Sequence, residues 1–136
     1  MGVDTLVYGY IASEECYENN EYIINEGSRG DWVYVILEGQ VKVKKMTSKG
    51  MVTIDTLKEG DIFGEMILWQ GGKATRSASI IADGSVKVGL LNSERLLQDY
   101  ESISPRLKTL IKSLILKLRE TTKNTAILAV ESNFMK

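Results

Sequence analysis

Short stretches rich in β-branched and aromatic residues, several of them separated by turns that contain glycine, run through the middle of this 136-residue chain. Residues 32–38, 40–44 and 51–57 are three such stretches, and residues 76–82 and 85–91 are two more after a longer interval. Strands of this length, repeated about every 8–12 residues with turn signals between them, are typical of all-β sandwiches and barrels. The pattern therefore predicts a mainly β fold, a double-stranded β-helix (jelly-roll) barrel.

The hydrophobic period changes near the C-terminus, where two helices are predicted. Residues 93–100 form a short helix capped by Asn92 or Ser93, and Ser104 followed by Pro105 begins a longer one. Apolar residues in this second helix follow a heptad spacing, interrupted by Thr121 and Thr125: Leu107, Ile111, Leu114, Leu118 and Leu128. Leu110, Ile115 and Leu116 widen the apolar face. We predict that one face packs on the barrel while another forms a homodimer.

These patterns divide the chain into four parts. Residues 1–16 are a lead-in segment, residues 17–100 the barrel, residues 104–124 a C-terminal lid or dimerisation helix, and residues 125–136 a tail. No helix-turn-helix is recognisable after residue 124, so a DNA-binding domain is not expected.

Composition excludes several classes of site. The chain has no histidine, which removes Ser-His-Asp and Cys-His catalysis and every histidine-based metal centre. Its one cysteine, Cys16, cannot form an intramolecular disulfide. No stretch approaches the ~20 apolar residues that span a bilayer, and the start lacks the basic segment of a secretory signal. We therefore expect a cytoplasmic protein without membrane attachment.

Charge is unevenly distributed along the chain. Residues 1–40 hold eight acidic side chains and one basic one, whereas residues 41–136 hold sixteen basic and ten acidic ones. Many of the basic residues lie between Arg106 and Lys123, on the predicted long helix. Such a helix can attract nucleic acid, but exposed lysines more often serve solubility.

One segment carries features of an anion site. Gly64 allows the backbone to approach a ligand closely, and Glu65 can accept hydrogen bonds from sugar hydroxyls. Residues 66–70 can form one helical turn with free N–H groups, and Arg76 can hold a phosphate through paired hydrogen bonds. Each feature also has a structural reading, since Phe63-Gly64-Glu65 can be an ordinary turn and Arg76 can pair with Glu65.

The joint order of these motifs resembles the cyclic nucleotide-binding domain family, which includes bacterial cAMP receptor proteins and kinase regulatory subunits. The likeness covers roughly residues 15–122. Residues 17–27 are similar to the family's first hairpin, and residues 30–43 to its Gly-Asp-x-x-Tyr-x-Ile-x-x-Gly-x-Val pattern. Residues 60–65 together with 76–78 resemble its phosphate-binding cassette, which contains a short helix. The stretch from Trp69 to Thr75 is longer than usual for the family, and no proline precedes Arg76.

The resemblance implies a binding site for cAMP or cGMP, with no cofactor and no catalytic residue. Gly64 would lie against the ribose-phosphate and Glu65 would accept the ribose 2′-hydroxyl. Backbone groups of Ile67 and Leu68 would line the site. Arg76 would neutralise the cyclic phosphate, with Ser77 adding a hydrogen bond.

The family also couples binding to movement of its C-terminal helix. Thr121 and Thr122 lie at nearly the distance from the cassette arginine where cAMP receptor proteins place their adenine contact. The alternative is that Thr121 faces water at a fraying helix end.

Three functions remain to be compared. The first is a sensor for a cyclic nucleotide, preferably cAMP. The second is a member of the same fold that has lost binding and serves dimerisation or docking; an intact Gly64, Glu65 and Arg76 favours the first. The third, a jelly-roll enzyme, is disfavoured because the chain has no histidine.

Overall fold

The computed structural model describes residues 7–65 and 75–134. A short 3-10 turn at Val7–Tyr10 precedes six strands and two helices. In chain order these are β1 (Ile11–Tyr17), β2 (Tyr22–Ile24), β3 (Val33–Thr47), β4 (Gly50–Lys58), β5 (Ile62–Phe63), β6 (Ser79–Leu91), α1 (Ser93–Glu101) and α2 (Pro105–Phe134).

All strand pairs are antiparallel, and two long strands organise the sheet. β3 pairs with β4, β5 and β6, while β6 also pairs with β1 and β2. The predicted fold class is confirmed: the described residues form a mainly β fold with flanking helices.

The start of β3 is buried on both faces, which explains its continuous apolar sequence. Tyr34 and Ile36 belong to the main core inside the barrel, whereas Val33, Val35 and Leu37 belong to a second cluster with Leu91. Tyr10 and Leu96 pack against this second cluster from the 3-10 turn and α1. A strand covered on both faces needs apolar residues at every position rather than at alternate ones.

Two predicted turns lie inside long strands. Gly39 and the Asp83–Gly84 pair were expected to end strands, but β3 and β6 continue through them. Register shifts between Ile36 and Gln40 absorb the extra residues. Gly39 has φ +88, and a Cβ there would lie 2.4 Å from the Ser85 carbonyl oxygen, so only glycine fits.

The described elements differ from the predicted boundaries at both ends. β1 begins at Ile11, within the segment predicted to be a lead-in, and pairs antiparallel with residues 86–91 of β6. Its middle residues are exposed and acid-rich, so it lacks the apolar alternation of an ordinary strand. α2 continues to Phe134 instead of ending at residue 124, because no glycine or proline follows Pro105 to stop it.

The long helix α2 lies against β4 and β3. The Ser104 hydroxyl accepts a 3.3 Å hydrogen bond from the Leu107 amide at its start. Ile111 and Ile115 are half-buried, whereas five leucines are between 44% and 65% exposed: Leu107, Leu110, Leu114, Leu116 and Leu118. The apolar residues of α2 are therefore divided between a barrel-facing side and an exposed side. Among residues 7–65 and 75–134, no helix has both the length and the hydropathy of a membrane span.

Candidate functional site

A cavity of about 210 Å³ opens between β3, β4, β5 and the residues that precede β6. Seven apolar residues form most of its wall: Ile24, Val43, Leu57, Ile62, Phe63, Ala78 and Ile80. Its other lining residues are Gly64 and the polar Asp55, Glu65, Thr75, Arg76 and Ser77. A mainly apolar cavity with a few convergent polar groups is the usual form of a small-molecule site.

Arg76 is the buried cation of this cavity, with only 7% of its surface exposed. Its guanidinium donates one hydrogen bond to the Gly64 carbonyl and another to the Trp32 carbonyl, both 2.8 Å long. Burial lowers the pKa of Arg76, while the nearby Tyr34, Asp31 and Glu65 raise it. An arginine stays protonated under such conditions, and a guanidinium has five N–H donors. The arrangement can therefore hold an anion with the donors that the two carbonyls do not use.

Two glycines make room for the guanidinium. A Cβ at Gly30 would lie 2.6 Å from Nη2 of Arg76, and a Cβ at Gly64 would lie 2.9 Å from Nη1. Gly64 also has φ +78, a conformation that other residues adopt at a cost. Sequence reasoning selected Gly64 but not Gly30 as a site residue, although Gly30 begins the Gly-Asp pattern quoted above.

Glu65 brings a carboxyl group to the same cavity. Burial raises its pKa, and a hydrogen bond from its own backbone together with the charge of Arg76 opposes this rise. Arg76 and Glu65 are not within ion-pair distance of each other, since the ion pairs of the described residues lie elsewhere. The purely structural reading, in which Arg76 exists to pair with Glu65, is therefore not what the structure shows.

A polar network outside the cavity, formed by Lys45 and Glu26, holds the segment that follows Arg76. The Lys45 ammonium donates a hydrogen bond to the Ser77 carbonyl and forms a 3.2 Å ion pair with Glu26. The second carboxylate oxygen of Glu26 accepts a 2.7 Å bond from the Met46 amide. Sequence reasoning missed Lys45 and Glu26, because they lie 19 residues apart and their other partners are backbone groups, which no side-chain motif reveals.

The structure brings four of the eight predicted site residues together. Gly64, Glu65, Arg76 and Ser77 line one cavity. Ile67, Leu68 and the predicted cassette helix lie outside the described residues, as does the side chain of Thr122.

Thr121 is placed differently from its expected role at the purine. It is exposed, and its hydroxyl donates a 2.9 Å bond to the Lys117 carbonyl within α2. All described residues that line the cavity belong to the barrel and its loops, not to α2.

The family model described as cyclic nucleotide-binding domain matches residues 14–102. The chain belongs to this family. The cyclic nucleotide-binding domain contains the whole described cavity, and the resemblance found in the sequence motifs is confirmed.

Individual relatives agree with this assignment. A cGMP-dependent protein kinase of Caenorhabditis elegans is 36% identical over 99 residues, which cover 68% of this chain and 12% of the kinase. A solved structure of the EAL enzyme Bd1971 with cAMP and cyclic-di-GMP bound covers 86% of this chain, with 27% identity and a TM-score of 0.76. The catabolite activator protein of Thermus thermophilus covers 90% of this chain, with 27% identity and a TM-score of 0.67.

The chain spans only part of each of these proteins: 12% of the kinase, 31% of the EAL enzyme chain and 57% of the activator chain. The shared part is the binding domain. The activities of the remaining parts of these relatives are not assigned to this chain.

Proposed function

We propose that this domain binds a purine 3′,5′-cyclic nucleotide in the described cavity and acts as a regulatory sensor rather than as a catalyst. The observation that carries the proposal is the buried Arg76, held by two carbonyls and flanked by two glycines at the wall of a mainly apolar cavity. A buried cation is costly unless it is paired with an anion or with acceptors, and here it keeps donors for a ligand. The names of relatives refer to both cGMP and cAMP.

Each residue has a role in this proposal. Arg76 binds the cyclic phosphate through charge-assisted hydrogen bonds, and Ser77 adds a neutral one. Glu65 accepts the ribose 2′-hydroxyl, while Gly64 and the backbone of Ile67 and Leu68 lie against the ribose-phosphate. No group has to transfer a proton, because the event is reversible binding.

Isothermal titration of the folded domain with cAMP and with cGMP tests this proposal. We expect one site per chain for the preferred nucleotide and much weaker binding of adenosine, which has no phosphate for Arg76. A folded domain that binds neither cyclic nucleotide would contradict the proposal and would instead support the alternative of a binding-deficient dimerisation or docking module.

We further propose a preference for cAMP that depends on α2. Because the Thr121 hydroxyl uses its proton in the bond to Lys117, its oxygen is left to accept one from the adenine amine. A neutral hydrogen bond contributes about 0.5–1.5 kcal/mol, so we expect roughly tenfold selectivity over cGMP. Binding would also slow hydrogen exchange after Leu118, because it would order the helix.

The matching experiment compares cAMP and cGMP affinities in the parent and in a Thr121→Ala, Thr122→Ala double variant. We expect the variant to lose the part of the preference that the threonine contact supplies, while the binding of both nucleotides persists. An unchanged ratio would exclude this purine contact and leave the phosphate site unaffected.

Glu65 gives the domain an expected pH dependence. An acid with a raised pKa in the folded state holds its proton more tightly there than in the unfolded chain, so folding stability falls as pH rises through that pKa. Glu65→Gln should therefore raise the melting temperature at pH 7, with the gain shrinking toward pH 4.5. The same variant should bind nucleotide about tenfold more weakly, because a neutral acceptor replaces a charged one.

Thermal unfolding across pH 4.5–8 and titration at pH 7 measure both effects. Glu59→Gln is the matched control, since Glu59 is exposed in the turn after β4. A Glu65→Gln protein that is less stable than the parent at pH 7 would contradict the assigned pKa direction.

We propose that the exposed leucines on one side of α2 form a homodimer. Leu107, Leu110, Leu114 and Leu118 are separated by three or four residues, so they share one helix face, whereas Leu116 lies on the opposite face. Leu114→Asp should convert a dimer to a monomer in analytical ultracentrifugation, and Leu116→Asp should not. A parent protein that sediments as a monomer with and without nucleotide would refute the dimer.

The cytoplasmic location stays a prediction.

A further inference from the structure

Asp55 places an unexpected negative charge at the cavity. It lies on β4 opposite Val43 of β3, and two residues before Leu57. Residues two apart on a strand point to the same face, and Val43, Asp55 and Leu57 all line the cavity. Oδ1 of Asp55 accepts a 2.8 Å bond from the Thr56 amide. For Oδ2, the structure shows no hydrogen-bond or ion-pair partner among residues 7–65 and 75–134.

The negative charge of Asp55 disfavours the binding of the proposed ligand, which is itself an anion. The described lining contains two carboxyl groups, Asp55 and Glu65, and one cation, Arg76. A carboxylate repels a nucleotide phosphate, so its presence in an anion-binding cavity weakens binding unless it contacts a donor of the ligand. Glu65 has such a donor in the proposed ribose contact. The contacts proposed so far supply no such donor for Asp55.

The position of Asp55 indicates which part of the ligand it meets. Gly64, Glu65, Arg76 and Ser77 form the ribose-phosphate side of the cavity in the proposed function. The wall formed by Val43, Asp55 and Leu57 is then left for the base. Its two aliphatic side chains suit a purine face, and its carboxylate suits a polar atom at the purine edge.

We propose that Asp55 is a specificity-determining residue whose Oδ2 accepts a hydrogen bond from the exocyclic amine of adenine. This inference rests on the proposed function. A carboxylate only accepts hydrogen bonds, so it pairs with an amine and repels a carbonyl oxygen such as O6 of guanine. Guanine could instead offer the carboxylate two donors, N1–H and N2–H. Oδ1 already accepts one hydrogen bond from Thr56, however, so a paired contact with N1–H and N2–H would have to share that oxygen, whereas the single amine of adenine needs only Oδ2.

The test compares cAMP with purine riboside 3′,5′-cyclic monophosphate, which lacks only the amine. A hydrogen bond to a charged group is stronger than one between neutral groups, but Asp55 is exposed, so we expect the parent to prefer cAMP by about tenfold. In Asp55→Ala, made in the Thr121→Ala, Thr122→Ala background so that the proposed threonine contact with the same amine is absent, the two ligands should bind within about twofold of each other. Asp55→Asn, which keeps an acceptor without the charge, should give an intermediate ratio. Glu59→Gln removes a nearby exposed charge outside the cavity lining and should leave the ratio at its parental value.

Two results would overturn this inference alone. One is an Asp55→Ala protein that binds nucleotides but keeps the parental ratio. The other is a larger loss for cGMP than for cAMP in that variant, which would mean that Asp55 reads the N1 and N2 donors of guanine. A parent protein that binds no cyclic nucleotide would instead refute the proposed function, and the role of Asp55 with it. Arg76→Ala completes the comparison. It should weaken the binding of cAMP and of purine riboside 3′,5′-cyclic monophosphate by the same factor, because both carry the same phosphate.

Discussion

Replacing Arg76 with alanine is expected to reduce cyclic nucleotide affinity by a factor between about 30 and several thousand. Truncating one partner of a buried, hydrogen-bonded charge pair costs about 2–5 kcal/mol, because the other charge is left without a counter-charge. Here that charge would be the cyclic phosphate. Titration of cAMP and cGMP measures the loss, and both ligands should lose affinity by the same factor, since both carry the same phosphate.

Two further variants separate the role of Arg76 in binding from its role in folding. Arg29→Ala removes an exposed arginine whose backbone bridges to Thr75, next to Arg76, and should leave affinity unchanged. Arg76→Lys keeps the charge but lacks the planar fork that reaches the Gly64 and Trp32 carbonyls together, so binding should be intermediate. Melting temperatures show whether each variant is folded. A folded Arg76→Ala protein with parental affinity would show that the phosphate binds elsewhere.

Gly64→Ala is expected to abolish most binding, whereas Gly84→Ala is expected to leave it intact. Both glycines have nearly the same backbone conformation, φ +78 and φ +82, so both variants lose about 1–2 kcal/mol of folding stability from the left-handed region. Only at Gly64 does the new Cβ meet other atoms: 2.9 Å from Nη1 of Arg76 and 3.1 Å from the Trp32 carbonyl oxygen. At Gly84 nothing lies within 4 Å.

The affinity difference between these two variants therefore isolates the displacement of Arg76 from the backbone cost. We expect at least a tenfold loss for Gly64→Ala alone, because a shift of about 1 Å in a positioning group is enough for a loss of that size. A second pair tests the opposite side of the guanidinium: Gly30→Ala, with a Cβ 2.6 Å from Nη2, against Gly9→Ala, with nothing within 4 Å. Equal affinities within both pairs would mean that the position of Arg76 does not limit binding.

The sequence predicted the fold class because glycine positions and strand-like composition are local signals. The sequence did not predict how a strand packs when two layers cover it, and it did not predict a strand that lies exposed at the edge of the sheet. The apolar run at the start of β3 does not reveal that Val33 and Val35 pack under α1 while Tyr34 and Ile36 face the core. β1 went unrecognised because its middle residues are exposed and mostly polar.

The site could be predicted only as far as residue type and spacing describe it. Glu65 and Arg76 belong to a motif, so their presence in one cavity followed from the resemblance. The contacts of Arg76 with the Gly64 and Trp32 carbonyls, and of Lys45 with the Ser77 carbonyl, are made to backbone atoms that every residue has. Asp55 lies on a strand whose register with β3 decides which side chains face the cavity, and register is a tertiary property.

Because α2 is long, a small tilt of this helix produces a large displacement at its far end. A 30-residue helix is about 45 Å long, at 1.5 Å per residue. It lies against β4 and β3, the strands that carry Asp55, Leu57 and Val43 of the cavity wall. A tilt of about 10° about one end of such a rod moves the other end by about 8 Å, from the same rise per residue. Any tilt of that size at the cavity wall would thus move the distal end of the helix by most of a helix diameter.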